Sequence, residues 1–186
     1  MTESVKPKPT RIFVGLKVDP DIAAQLALLA APLKENSASL VAPADIHLTL
    51  VPPWRETMIE HAVERLSEAS SHFAPFSLRF HHAGYGPQPN RPHLLWVECP
   101  VTDDIAALQS TLMKTFGKEN ARPFRPHVTL ARIRDKGRGI ARRHPIDHVL
   151  ALAQLVQTVE LFRSPPPGAT GYQIVASAPL TGKPLA

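Results

Sequence analysis

The tetrapeptide His47-Leu48-Thr49-Leu50 recurs 80 residues later as His127-Val128-Thr129-Leu130. Side chains of a β-strand alternate between its two faces. Each copy therefore sends an imidazole and a hydroxyl one way and two aliphatic groups the other. The aliphatic faces need a core, and the polar faces need something that takes a proton carrier and a hydrogen-bond donor. Two such strands facing one cleft offer two imidazoles and two hydroxyls to a single ligand.

A length of 186 residues with 44% hydrophobic residues suits one domain, with or without two lobes, and a sizeable core. Residues 1–10 hold two lysines, two prolines and no apolar run, and read as a loose tail before a single domain over 11–186. They lack the pattern of a secretory signal and no segment approaches a membrane span, so a soluble cytoplasmic protein is expected. The one cysteine, Cys99, ends an apolar run and reads as a buried strand residue rather than a nucleophile. The formal net charge is +5, and the excess is local. Between Arg122 and Arg143 eight basic residues are opposed only by Asp135. A positive stretch beside the second motif copy reads as an anion-attracting surface, with a solvated loop as the alternative.

Residues 11–18 read as a strand, 22–33 as a buried helix begun by Asp19-Pro20-Asp21, and 36–43 as a polar connector. The first motif strand covers 46–51 and is expected to stop at Pro52-Pro53. Ile59, Val63 and Leu66 give 56–71 a helical period. Strands are expected over 75–82 and 94–99 around a turn-rich loop. Thr102-Asp103-Asp104 then opens a helix with Ile105, Leu108, Leu112 and Phe116 on one face. The second motif strand covers 126–133. A basic loop with Gly137 and Gly139, a strand over 153–163, a proline-rich loop over 164–170 and a strand over 172–179 complete the chain. The order is α+β, a loose duplication with one motif copy per lobe and a cleft between.

Several chemistries compete for two histidines and two threonines. A metal site wants three or four ligands, and each motif supplies one good one. A serine-type triad needs a nucleophile and a His–carboxylate pair that the motif does not contain. Acid–base chemistry fits better, because one imidazole can accept a proton while the other donates one near neutrality. In-line displacement at phosphorus suits that pair, with hydroxyls and a nearby arginine on the non-bridging oxygens and no metal required.

Arg11-Ile12-Phe13-Val14-Gly15-Leu16, Ile46-His47-Leu48-Thr49-Leu50, Phe124-Arg125-Pro126-His127-Val128-Thr129-Leu130-Ala131-Arg132, Leu161-Phe162-Arg163-Ser164 and Tyr172-Gln173-Ile174 together resemble the 2H phosphoesterase superfamily. The resemblance is to its LigT/ThpR-like branch, RNA 2′,3′-cyclic phosphodiesterases also named 2′-5′ RNA ligases, and it spans nearly the whole chain. It implies a bilobal fold with two antiparallel sheets flanking a central cleft and helices outside. It implies hydrolysis of 2′,3′-cyclic phosphates to 2′-phosphates without a cofactor or metal, on RNA ends or small cyclic nucleotides. By position His47 would be the proton donor and His127 the acceptor, while Thr49, Thr129 and Arg132 would hold the phosphate. Where many relatives continue the first motif with Phe-Leu-Gly, this chain has Val51-Pro52-Pro53-Trp54, which bears on substrate choice.

Phe13, Trp54 and Tyr172 are candidates for contact with a nucleobase, each with packing as the alternative. His144 and His148 have the i, i+4 spacing of a metal face, but Pro145 suggests a helix start that leaves His144 outside. His81-His82 is a further histidine pair, and His93 and Arg91 read as surface groups. Two other functions stay open: 2′-5′ ligation or 2′-5′ phosphodiester cleavage at the same site, and a non-catalytic module that binds RNA or nucleotides through its basic loop. A monomer is expected.

Overall fold

Alternating burial marks both motif copies as strands, with Leu48, Leu50, Val128 and Leu130 buried and the histidines and threonines half-buried. The computed structural model describes residues 8–34, 38–88, 91–134, 137–166 and 169–183. Its elements are β1 (Thr10–Lys17), α1 (Pro20–Ala30), β2 (Ala38–Leu40), β3 (His47–Glu56), α2 (Ile59–Ser70), β4 (Phe76–Gly86), β5 (Leu94–Glu98), α3 (Asp103–Thr115), β6 (His127–Ile133), α4 (Gly137–Arg143), β7 (His148–Val156), β8 (Thr158–Arg163) and β9 (Gln173–Pro179). No helix among the described residues is long and apolar enough to cross a membrane.

Every strand pairing is antiparallel, in the order β7-β4-β5-β6-β3-β1-β8-β9 with β2 added on β6. The two expected sheets are the two halves of this order. They meet at β3 and β6 through one residue pair, Leu48 with Val128. Past that pair the motif strands part, and β2 takes over the edge of β6, with Leu40 opposite Ala131 and Ala38 opposite Ile133. Two helices cross the seam: α1, from the β1–β3 half, packs on β6, and α3, from the β5–β6 half, packs on β3. Their apolar faces, including Leu26, Leu108 and Leu112, join Ile12, Val14 and Leu48 in one core.

Five expectations need correction. β3 runs through Pro52-Pro53 to Glu56 rather than stopping. Here Val14 faces Val51 while Ile12 faces Trp54, so β3 carries an extra residue where the prolines fall. A proline lacks only a donor, and a register break is where a donor is least missed. The connector 36–43 contains β2, which is too short to show a period. The strand expected over 153–163 is two strands broken at Gln157, because β7 pairs with β4 in one half and β8 with β1 in the other. The basic loop contains the helix α4. Pro145 opens no helix: it follows α4 and precedes β7, so His144 and His148 do not share a helical face. Of the expected tail and loops, residues 1–7, 89–90, 135–136 and 167–168 lie outside the described residues, and β1 begins at Thr10.

Candidate active site

Carrying the Leu48–Val128 register one residue either way sets His47 across from Thr129 and Thr49 across from His127. The four polar groups are thus related by a local two-fold through the seam. They line a single cavity of about 510 Å³ together with Arg132 and Tyr172.

The halves repeat each other in finer detail. On β3, Thr49 and Val51 face Gly15 and Val14, leaving Leu50 as an extra residue. On β6, Thr129 and Ala131 face Trp96 and Leu95, leaving Leu130 as an extra residue. A bulge shifts the alternation of side chains by one. Leu130 and Ala131 are accordingly both buried, and Arg132, at an odd spacing from Thr129, is exposed and lines the cleft. Strict alternation would have put it in the core. The position matching Arg132 in the first copy is Pro52, so the cleft receives one guanidinium rather than two.

Each histidine is held by the backbone two residues before it, just ahead of its strand. His47 Nδ1 lies 2.7 Å from the carbonyl of Asp45, and His127 Nδ1 lies 2.7 Å from the carbonyl of Arg125. A carbonyl only accepts, so Nδ1 carries hydrogen in both cases and Nε2 is left to titrate. Burial is the main cause holding both imidazoles below the usual histidine range, partly offset by these backbone bonds, and the Arg132 charge lowers both further.

Aromatic rings fix the imidazoles laterally. His47 packs against Phe13, Tyr172 and Phe162 at centroid distances of 4.8, 4.9 and 5.3 Å. Phe13 also stacks on Phe162 and is 2% exposed, which places it beneath the imidazole. Tyr172 remains half-buried at the cavity wall. Trp54 is not among the residues lining this cavity. Its ring packs on Phe116 at 4.9 Å and its Nε1 donates to Glu56.

Four contributors escaped the sequence reading. Trp96 packs on His127 at 4.6 Å, with the Arg125 guanidinium 5.0 Å from its ring centre. Gly86 leaves the space for it, since a Cβ there would collide with the indole. Asp45 holds His47 through its carbonyl and also accepts the Tyr172 N–H through its carboxylate at 2.8 Å. Phe162 completes the ring cluster. Only Asp45 had a possible signal, its place two residues before His47.

Of the basic stretch, Arg132 lines the cleft, while Arg122 and Arg125 line an adjoining recess with His127, Thr49 and Pro52. Arg125 is also paired with Glu98 at 2.5 Å. Arg134, Arg142 and Arg143 line neither space. Cys99 is buried, and burial pushes its thiol up to about 12, so it stays protonated. His82 pairs with Asp147 at the surface. Among the described residues no three of His, Cys, Asp and Glu gather into a set that could hold a metal ion.

A family model of the 2′-5′ RNA ligase superfamily matches residues 18–157. An RNA 2′,3′-cyclic phosphodiesterase of Archaeoglobus fulgidus is 27% identical over 137 residues, covering 70% of this chain and 77% of that one. TT0787 of Thermus thermophilus superposes with a TM-score of 0.76 at 20% identity, over 93% of this chain and 99% of that one. E. coli LigT complexed with 3′-AMP does so with a TM-score of 0.74 at 20% identity, over 94% and 99%. These likenesses establish the fold, and the sequence match establishes the family: the chain belongs to the 2′-5′ RNA ligase superfamily and is a 2H phosphoesterase.

Proposed function

We propose that the protein hydrolyses 2′,3′-cyclic phosphates on RNA ends or nucleosides to 2′-phosphates, without a metal. The observation that carries this reading is the pair of imidazoles, each with Nδ1 committed to a carbonyl and Nε2 free, lining one cavity with two hydroxyls and a guanidinium. A water oxygen attacks phosphorus as His127 Nε2 takes its proton. The bond from phosphorus to the 3′ oxygen breaks, and His47 Nε2–H protonates the departing oxygen. Proton exchange with solvent then resets both rings. Thr49, Thr129 and Arg132 hold the non-bridging oxygens and meet charge that grows in the transition state. Burial holds the His47 imidazole below the usual histidine range and so works against its protonated form. The anionic phosphate restores its proton on binding, because a negative charge favours imidazolium.

The activity of the Archaeoglobus relative and the nucleotide bound to E. coli LigT both support this assignment. Incubation with a nucleoside 2′,3′-cyclic phosphate in chelator, followed by phosphorus NMR, tests it. A 2′-phosphate product is expected, and its loss in His47→Ala and His127→Ala. Turnover indifferent to both substitutions would sink the reading.

A second reading keeps the site and replaces water by an RNA 5′-hydroxyl, so that a 2′-5′ bond forms as the 3′ oxygen leaves. The recess beside His127, lined by Arg122, Arg125 and Trp96, favours it by giving a second strand room to approach the base. Joining of RNA halves, scored on a gel, separates the two reactions.

A further inference from the structure

We propose that Arg11, Arg132 and Ser164 form a second phosphate subsite beside the catalytic cleft, which takes a phosphate on the 5′ oxygen of the same ribose. The inference rests on the cyclic phosphodiesterase reading and names its preferred substrate class: nucleotides that carry a 5′-phosphoryl group as well as the cyclic phosphate.

A cavity of about 500 Å³ adjoins the catalytic one and shares His47, Thr49, Arg132 and Tyr172 with it. Its own contributions include Arg11 and Ser164. Arg11 lies two residues before Phe13 on β1, hence on the same face of the strand, and its carbonyl accepts the Ser164 N–H at 2.8 Å. The two side chains are therefore brought together by the β1–β8 pairing.

Three features of this corner serve no purpose in folding. No acidic residue lines the cavity, and neither Arg11 nor Arg132 has a carboxylate partner among the described residues. Arg11 sits directly across from Arg55 in the β1–β3 register, and like charges at that position destabilise a sheet. Ser164 is 9% exposed, and its buried Oγ has no hydrogen-bond partner. Most buried hydroxyls are satisfied; Ser70 Oγ is the other orphan among the described residues, and of the two only Ser164 lines this cavity. A phosphate answers the first two by neutralising the guanidinium groups, and a turn of the Ser164 side chain about χ1 brings its hydroxyl, closed to solvent in this rotamer, to the same anion. The catalytic phosphate, assigned above to Thr49, Thr129 and Arg132, leaves Arg11 unmatched, since Arg11 lines only the adjoining cavity.

Three substrates test the subsite: adenosine 2′,3′-cyclic phosphate, the same compound with a 5′-phosphate, and a dinucleotide ending in the cyclic phosphate. The second and third are expected to have a KM lower by roughly tenfold, the size of a charge-assisted contact, with a gain that shrinks as salt is added. A gain for the second alone identifies a phosphomonoester as the ligand, and a gain for the third alone a phosphodiester. In either case Arg11→Gln must remove most of the gain and Ser164→Ala part of it. Arg11→Gln must also leave the urea midpoint unchanged or raised, because it relieves the clash with Arg55. Equal KM values in the wild type, or an Arg11→Gln loss of the same size on all three substrates, would overturn the subsite. No turnover of any substrate would overturn the hydrolase reading instead. Calorimetry then decides the subsite independently: adenosine 2′,5′-bisphosphate must bind about tenfold more tightly than adenosine 2′-phosphate, and Arg11→Gln must erase the difference.

Discussion

The half of the molecule around His47 and the half around His127 repeat each other down to a bulge after the threonine and a carbonyl behind each Nδ1. They differ in what surrounds the repeat. His47 is wrapped by three aromatic rings and shares Asp45 with Tyr172. His127 rests on one indole, with Arg125 and Glu98 acting on its charge. Duplication supplies two equivalent proton carriers. The residues that are not duplicated are what can make one an acid and the other a base.

The sharpest way to break this comparison is to remove each histidine in turn. His47→Ala and His127→Ala are each expected to cost about 10² to 10⁴ in kcat, and the double variant little more than the worse single one, because an acid and a base in one step act as a unit. The comparison sharpens with an activated diester whose leaving group needs no proton. His47→Ala should then recover most of its rate and His127→Ala should not. Equal recovery would remove the assignment of roles.

Next in size is Arg132, the residue that the first copy replaces by Pro52. Arg132→Gln is expected to lower kcat by roughly 10² to 10³. Because the Arg132 charge lowers both imidazoles, its loss should also move the kcat/KM pH profile upward. A rate loss with an unmoved profile would show that the guanidinium does not act on the histidines electrostatically.

The structural supports differ too. Gly86→Ala drives a methyl group into Trp96, the single ring behind His127, while Gly15→Ala brings one to 2.5 Å from the Leu48 carbonyl in the first motif strand. Each should cost about 1–3 kcal/mol in urea unfolding. Gly86→Ala should in addition lower kcat, through the tilt of His127.

Smaller still is the pH dependence of stability. The folded pKa values of both histidines lie below the ordinary 6.5. Their contribution is complete above that value and is lost as pH falls through the folded values, since the unfolded chain then binds more protons. A His47→Asn, His127→Asn double variant should show a flatter fall in urea midpoint between about pH 7 and pH 5. Trp54→Ala, outside the cleft, should change kcat by less than about twofold and act on stability alone.

What the sequence disclosed follows from the range of the forces involved. The His-x-Thr strands and the helices with Leu66, Leu108 and Leu112 inside were legible because one strand or helix displays its own period. The bulges were not, since they depend on the register with β1 and β5. Arg132 could therefore be assigned only by resemblance, and its physical reason appeared with the Leu130 bulge. β2, three residues long, has no period to show. The break at Gln157 is invisible locally, because both flanking segments are good strands and only their different partners divide them. Trp96 and Phe162 looked like ordinary core residues. They are core residues, and the imidazoles happen to be what they pack against.

Leu48 and Val128 lie fully buried directly behind the four polar groups. Among the described residues they form the one register pair between β3 and β6, and α1 packs on β6 and α3 on β3 across the same seam. The gap between the two imidazoles is thus gauged by two aliphatic side chains on the opposite face of the motif strands. A methyl group added or removed at Val128 would widen or narrow the spacing of the two imidazoles without changing any polar residue. The reach of this site is a dimension of its core, open to adjustment by mutations that a survey of polar residues would pass over.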